Sequence, residues 1–191
     1  MHEFDVSAGE WLNPPASVMH EGETLVVAAE PHSDFWRTTS YNFIHDNGHA
    51  LLNDFADGTA VEVSWILDYD QQFDQAGIMV WHDDHNWMKA GVEFADGAPQ
   101  LGAVVTRDLS DWSVAPVGDW AGREVHLRVS RRGDALTVRA RCDGPWQLVR
   151  LAPLEANLSW RAGLFLASPS RGGLVVTFTR RLVGAADDAL H

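Results

Sequence analysis

Apolar and polar residues alternate with period two along most of the chain. Val61, Val63, Trp65 and Leu67 alternate with Glu62, Ser64 and Asp68, with Ile66 making that strand two-sided. Val125, Leu127 and Val129 alternate with His126, Arg128 and Ser130, and Leu136, Val138 and Ala140 with Thr137, Arg139 and Arg141. Near the end, Leu174, Val176 and Phe178 alternate with Val175, Thr177 and Thr179. Period two is the signature of strands with one buried face, and helical periodicity is nearly absent. Turn residues punctuate the runs at Asn47-Gly48, Asp57-Gly58, Asp96-Gly97, Arg132-Gly133-Asp134 and Asp143-Gly144-Pro145. The pattern predicts about a dozen short strands in two packed antiparallel sheets. Asn47-Gly48 predicts a hairpin turn. No linker or repeat divides the chain, so residues 1–182 read as one β-sandwich domain. Residues 183–191, where alternation is lost, read as a frayed tail. Trp11, Asn13 and Pro14-Pro15 read as an edge strand or strap.

The clearest signal runs from Asp74 to Phe94. Ile78 and Val80 face one side of the first strand, and Met88, Ala90, Val92 and Phe94 face one side of the second. Pairing Trp81 with Trp87 across His82–Asn86 sets Met79 opposite Lys89, Gly77 opposite Gly91, and Gln75 opposite Glu93. A third strand after Asp96-Gly97 places Gly102 beside Gly91 and Gln100 beside Glu93. Three glycines then share a register row on the face away from the core. Glycine weakens a strand interior, so the row needs a reason. One reason is a trough for a ligand, edged by Gln75, Glu93 and Gln100 on one side and Met79 and Lys89 on the other, with Trp81 and Trp87 as a wall. The alternative is that a loop or the amino-terminal strap covers the trough, with Lys89 merely paired to Glu93.

Composition narrows the partners. A chain of 191 residues with 46% apolar content can bury a sizeable core without metal or disulfide staples. A formal charge of -13 disfavours both nucleic acid and anionic lipid. The single cysteine, Cys142, lies in an alternating segment and reads as a buried apolar thiol. The opening residues lack a basic and an apolar region, and no stretch has the length of a transmembrane helix, so cytoplasmic residence is expected. Lys89 is the only lysine among 14 basic residues. Lysine is a compact point charge with a tunable pKa, which arginine is not, and a mid-strand lysine suggests use of that chemistry.

Several blocks together resemble a known family. These are Asp34-Phe35-Trp36, the HDNGH run from His45 to His49, DQAGIMVW with WMKAGVEF, Val104-Val105-Thr106 with Ser110-Asp111-Trp112-Ser113, and Ala167-Ser168-Pro169. The chain resembles the regulation-of-enolase-like family, a domain of unknown function with a concanavalin A-like lectin/glucanase fold. The resemblance spans roughly Trp11 to Phe178. It implies a jelly-roll sandwich with a concave sheet and supplies no catalytic residues. Related domains accompany glycoside hydrolases, which favours sugar binding by analogy alone.

The expected function is a non-catalytic binding domain for a carbohydrate or similar polar molecule. Its expected contacts are Trp36, Tyr41, His45, Gln75, Trp81, Trp87, Lys89, Glu93 and Arg150. Trp and carboxylate or amide groups beside a shallow trough suit a sugar, whose apolar face packs on indole while its hydroxyls need donors and acceptors. Trp36 has a second reading, as a residue that closes the core. The alternatives are an isomerase, epimerase, lyase or hydrolase-like enzyme on a sugar, using Glu93 with Lys89 or His45 for proton transfer, or a module that regulates a metabolic enzyme through a protein partner. A retaining glycosidase needs two carboxylates about 5–5.5 Å apart, and Glu93 stands alone on its face. No cofactor or metal motif is present. His45 and His49 flank the predicted turn and could meet, the His82–His85 loop reads as a solvated tip, and Asp68, Asp70 and Asp74 allow a structural calcium ion without a specific motif.

Overall fold

A computed structural model describes Met1–Leu190. The strands of the first half are β1 (His2–Glu3), β2 (Glu10–Leu12), β3 (Ser17–Glu21), β4 (Thr24–Ala28), β5 (Phe35–Arg37), β6 (Ile44–Asp46), β7 (His49–Asp54), β8 (Thr59–Ile66) and β9 (Gln75–Asp83). The remainder are β10 (Asn86–Ala95), β11 (Ala98–Arg107), β12 (Leu109–Pro116), β13 (Glu124–Arg132), β14 (Ala135–Arg141), β15 (Gln147–Pro153), β16 (Arg161–Ala167) and β17 (Val175–Ala185). A single 3-10 turn at Gly118–Trp120 is the helical content of the described residues, and none of their helices is long and apolar enough to cross a membrane.

The strands form the predicted two-sheet antiparallel jelly-roll sandwich. One sheet runs β15-β14-β13-β8-β17-β4-β3, with β1 added beside β17, and the other runs β12-β11-β10-β9-β16-β7-β2. The alternating apolar positions of both inner faces make the main core, with Val63, Trp65, Val125, Leu127, Val129 and Val138 from one sheet against Ile78, Val80, Met88, Ala90 and Leu164 from the other. Removing such side chains from water contributes about 1.5–3 kcal/mol each. Trp65 Nε1 donates to Tyr69 Oη, whose hydroxyl donates to Val92 O at 2.8 Å.

The hairpin register is the one expected: Trp87↔Trp81, Lys89↔Met79, Gly91↔Gly77 and Glu93↔Gln75, continued by Gly91↔Gly102 and Glu93↔Gln100. Asp96 and Gly97, at φ 54° and 80°, make the tight turn between β10 and β11, the two positive φ values that a type I′ turn requires. The opening segment is the edge strand β2, paired to β7.

Three local expectations are corrected. The strand β17 continues past Leu182 to Ala185, and beyond it Asp187 pairs with Arg128 and Arg139 at 2.8 and 3.0 Å. The segment after 182 is therefore held by arginines that the alternation of β13 and β14 points outward. Asn47-Gly48 is no hairpin turn, because β6 pairs with β5 while β7 pairs with β16 and β2. Asn47 instead bridges segments, accepting from Asp34 N and donating to His32 O. The glycine row, finally, is first a matter of backbone packing. An added Cβ would lie 2.0 Å from Ala90 O at Gly77, 2.1 Å from Ala76 O at Gly91 and 2.1 Å from Ser113 O at Gly102.

The outer face of the seven-stranded sheet is covered. A second apolar cluster joins Met79, Trp81, Trp87, Val104 and Phe165 of that face to Phe35 and Trp36. Phe165 stands opposite Gly77 in the ladder, and β5 with β6 forms a two-stranded flap over the cluster. Because backbone atoms block a side chain at Gly91, Gly91→Ala is expected to lower the unfolding free energy by about 1–3 kcal/mol, the usual effect of overpacking. Urea unfolding measures it, and a variant as stable as the parent would contradict the steric reading.

Candidate functional site

The flap is built from short-range chemistry and anchored by three contacts. Phe35, fully buried, sits between Trp81 and Trp87 with ring centroids 5.8 and 5.9 Å away. Lys89 Nζ donates to Asp34 Oδ1 at 2.8 Å, with only 5% of the lysine side chain exposed. Arg37 N donates to Ser110 Oγ at the end of the β11–β12 turn. The tip of the flap is a tight loop in which Thr38, Ser40 and Asn42 have φ of 61°, 68° and 56°. Positive φ in a β-branched residue such as Thr38 is strained and persists where its surroundings enforce it.

Between flap and sheet lies a cleft of about 330 Å³, the size of a small-molecule site. Trp36, Tyr41, Phe43 and His45 of the flap wall one side, and Gln75, Lys89, Glu93 and Val104 of the sheet form the floor. Trp112 of β12, Phe73 and the Pro169-Ser170 loop complete it. A second, water-sized chamber over Gly91 and Gly102 shares Gln75, Lys89, Glu93, Val104 and Trp112 with the cleft. The Pro169-Ser170 loop is set by a buried network: Ser168 Oγ donates to Asp74 Oδ1 at 2.8 Å, and Arg171 pairs with the same carboxylate.

Six of the nine expected contacts therefore meet in one site: Trp36, Tyr41, His45, Gln75, Lys89 and Glu93. The other three do not. Trp81 and Trp87, 4% and 3% exposed, are sealed under Phe35 and are not stacking platforms. Arg150 is on β15, bonded to Ser113 Oγ and Asp111 Oδ2 at 2.9 and 3.0 Å, where it ties the rim of one sheet to the other. Lys89 pairs with Asp34, a residue of the flap. Glu93 is thus not the lone carboxylate of the site, as its own face of the sheet suggested. Asp34, Trp112 and Pro169 were inside the blocks that carry the family likeness, which was the available signal for them; Phe43 and Phe73 had none.

Glu93 is the unusual group. Its Oε1 is buried with no hydrogen-bond partner. Burial pushes its carboxyl up to about 7; the Lys89 ammonium opposes that shift, and Asp34 and Asp96 add to it. The remaining candidates for metal chemistry separate in space. Asp74 is consumed by Ser168 and Arg171, whereas Asp68 and Asp70 are exposed. No group of three or more His, Cys, Asp and Glu among the described residues is placed to hold an ion. His49 is buried away from His45, its Nε2 accepting from Glu30 N and its Nδ1 donating to Asn13 O, both at 2.9 Å. Burial lowers its pKa, and it serves as a neutral clamp on the segments that enter the flap.

Residues 11–184 match the model of the family described as protein of unknown function, DUF1349. The chain belongs to this family. Regulation of enolase protein 1 of Saccharomyces cerevisiae is 39% identical over 98% of this chain and 95% of its own length. The crystal structure of a functionally unknown protein from the same yeast is similar at a TM-score of 0.89, with 38% identity over 95% of this chain and 98% of that one. The GH43 protein BlXynB of Bacillus licheniformis reaches a TM-score of 0.69 at 13% identity, over 95% of this chain and 38% of that chain. At that identity the likeness shows the sandwich fold alone.

The Glu93 carboxyl holds its proton more tightly folded, at about 7, than unfolded, at 4.5. Its contribution to stability is therefore full below the unfolded value and is lost as pH rises through the folded one. In urea unfolding from about pH 5 to about pH 8, the parent is expected to lose stability relative to Glu93→Gln. Parallel curves for the two proteins would show that Glu93 is ordinary.

Proposed function

We propose that this domain binds a small hydroxylated molecule of the saccharide class in the cleft beneath the flap, without transforming it. The observation that carries this reading is the unpartnered Glu93 Oε1 at the floor of an aromatic-walled cleft. A buried acceptor without a donor costs about 1–3 kcal/mol, and a ligand hydroxyl or amine removes that penalty. Trp36 and Trp112, 6.3 Å apart and perpendicular, offer indole surface against which the apolar face of a sugar ring packs. Gln75 and the second oxygen of Asp34 supply further polar contacts around it.

A second reading is supported by the raised carboxyl of Glu93. A group poised at about 7 suits proton transfer, and Glu93 with the Lys89–Asp34 pair would serve an isomerase, epimerase or lyase on a sugar. Binding is preferred because Lys89, the neighbouring cation on the same strand, is already engaged by Asp34. A third reading follows the yeast relative's name, which speaks of regulating enolase; a protein partner would read ligand occupancy through the exposed flap residues Tyr41, Phe43 and Ile44.

A thermal-shift screen with neutral, amino and phosphorylated monosaccharides tests the proposal. A true ligand at about 100 times its Kd adds about 2.7 kcal/mol of stability, raising Tm by roughly 5–10 °C for a chain of this size. Trp112→Ala, on an edge strand, is expected to abolish the shift while folding normally. Silence across the panel sinks the reading, and NMR detection of a product from any hit moves it to the enzyme.

A further inference from the structure

The cleft's charges do not balance, and the imbalance specifies the ligand. Two carboxyl groups and one amine line it: Asp34, Glu93 and Lys89. Lys89 and Asp34 close on one another at 2.8 Å, with side chains 5% and 15% exposed. Among the described residues, no arginine lines the site. Of the two histidines there, His32 is turned by its Nδ1 to Pro169 O, and His45 packs edge-on to Phe43 at 4.7 Å. What is left over is a single acid, Glu93, with one oxygen buried and unpaired. The aromatic wall fits the same demand. Trp36 meets Tyr41 at 5.6 Å and 67°, and Trp112 at 6.3 Å and 89°. All three rings line the cleft, and the π faces of aromatic rings attract cations.

We infer that the cleft selects a saccharide carrying a protonated amine, with the ammonium on Glu93 and the ring in the angle formed by Trp36, Tyr41 and Trp112. The inference rests on the small-ligand reading above and narrows it. A neutral hydroxyl satisfies the orphaned oxygen but leaves an ionised carboxylate uncompensated away from water, so the acid must stay protonated. An ammonium supplies a donor and a charge at once, and a charge-assisted hydrogen bond is roughly twice as strong as a neutral one. An anionic ligand meets the reverse situation, since the one ammonium of the site is spent on Asp34. The formal charge of -13 on the whole chain acts in the same direction over distance.

Two consequences separate this from sugar binding in general. Glucosamine binds better than glucose, and glucose 6-phosphate binds worst. Because the ammonium holds Glu93 ionised, binding near pH 6 releases a proton from the carboxyl, whose folded value is about 7.

Isothermal titration of the full chain with glucosamine, glucose and glucose 6-phosphate tests both, in two buffers of different ionisation enthalpy. The expected result is glucosamine favoured over glucose by about tenfold or more, the size of one charge-assisted contact. Proton release is expected with glucosamine alone. In Glu93→Gln the preference for glucosamine over glucose and the proton release both disappear. Should that variant fold poorly, proton release by the parent decides by itself. Glucose bound as tightly as glucosamine, a preference that survives in Glu93→Gln, or glucosamine binding without proton release each overturns the inference and leaves the small-ligand reading standing. Failure of glucosamine to bind overturns it too, and the broader reading falls with it only when the whole monosaccharide screen is silent.

Discussion

The seating of Phe35 between Trp81 and Trp87, locked by the Asp34–Lys89 pair beside it, is the contact on which the site depends. Without it the outer face of the seven-stranded sheet would expose two tryptophans, Met79 and Phe165 to water. With it, the same residues become a second core, and the flap that supplies Phe35 becomes one wall of a cleft. A buried ammonium is tolerable only when paired, and removing one partner of such a pair typically costs about 3–5 kcal/mol. The lone lysine of the chain is thus primarily a clasp. It holds the flap at a fixed height, and the width of the cleft follows from that height.

The clasp also explains why Glu93 is left without a partner. On the sheet alone, Lys89 is the nearest cation to Glu93 along the strand, four residues away on the same face. Asp34, arriving from the flap, takes the ammonium and leaves the glutamate desolvated with one oxygen unbonded. Folding therefore spends stability at one point to keep an acceptor open under an aromatic wall. Strained backbone at Thr38, Ser40 and Asn42 lies in the same flap, so an unbonded acceptor and strained backbone stand around the same cleft. Unsatisfied and strained groups that collect at one place are the usual mark of a working site.

Kinship and geometry speak to different questions. The family and the yeast relative establish what the chain is similar to over nearly its whole length, and the distant sandwich neighbours establish the fold. Neither bears on the ligand. The proposal of one rests on particular atoms: an acid with an unbonded oxygen, a lysine already paired, and three aromatic rings at steep angles.

Sequence by itself determined the sandwich and the β9–β10–β11 register, and with it the placing of Gln75, Lys89 and Glu93 on one face. Each follows from a short-range rule: side chains alternate with period two, and a fixed turn fixes every pairing after it. Asp34 as the partner of Lys89, the burial of Trp81 and Trp87, and the removal of Arg150 to the sandwich rim were decided only by the tertiary structure. All three turn on where a separate segment lands, and 55 residues of chain lie between Asp34 and Lys89. Alternation shows which face a residue is on. It cannot show what comes to rest on that face, because the flap is placed by aromatic packing and a salt bridge rather than by its own periodicity.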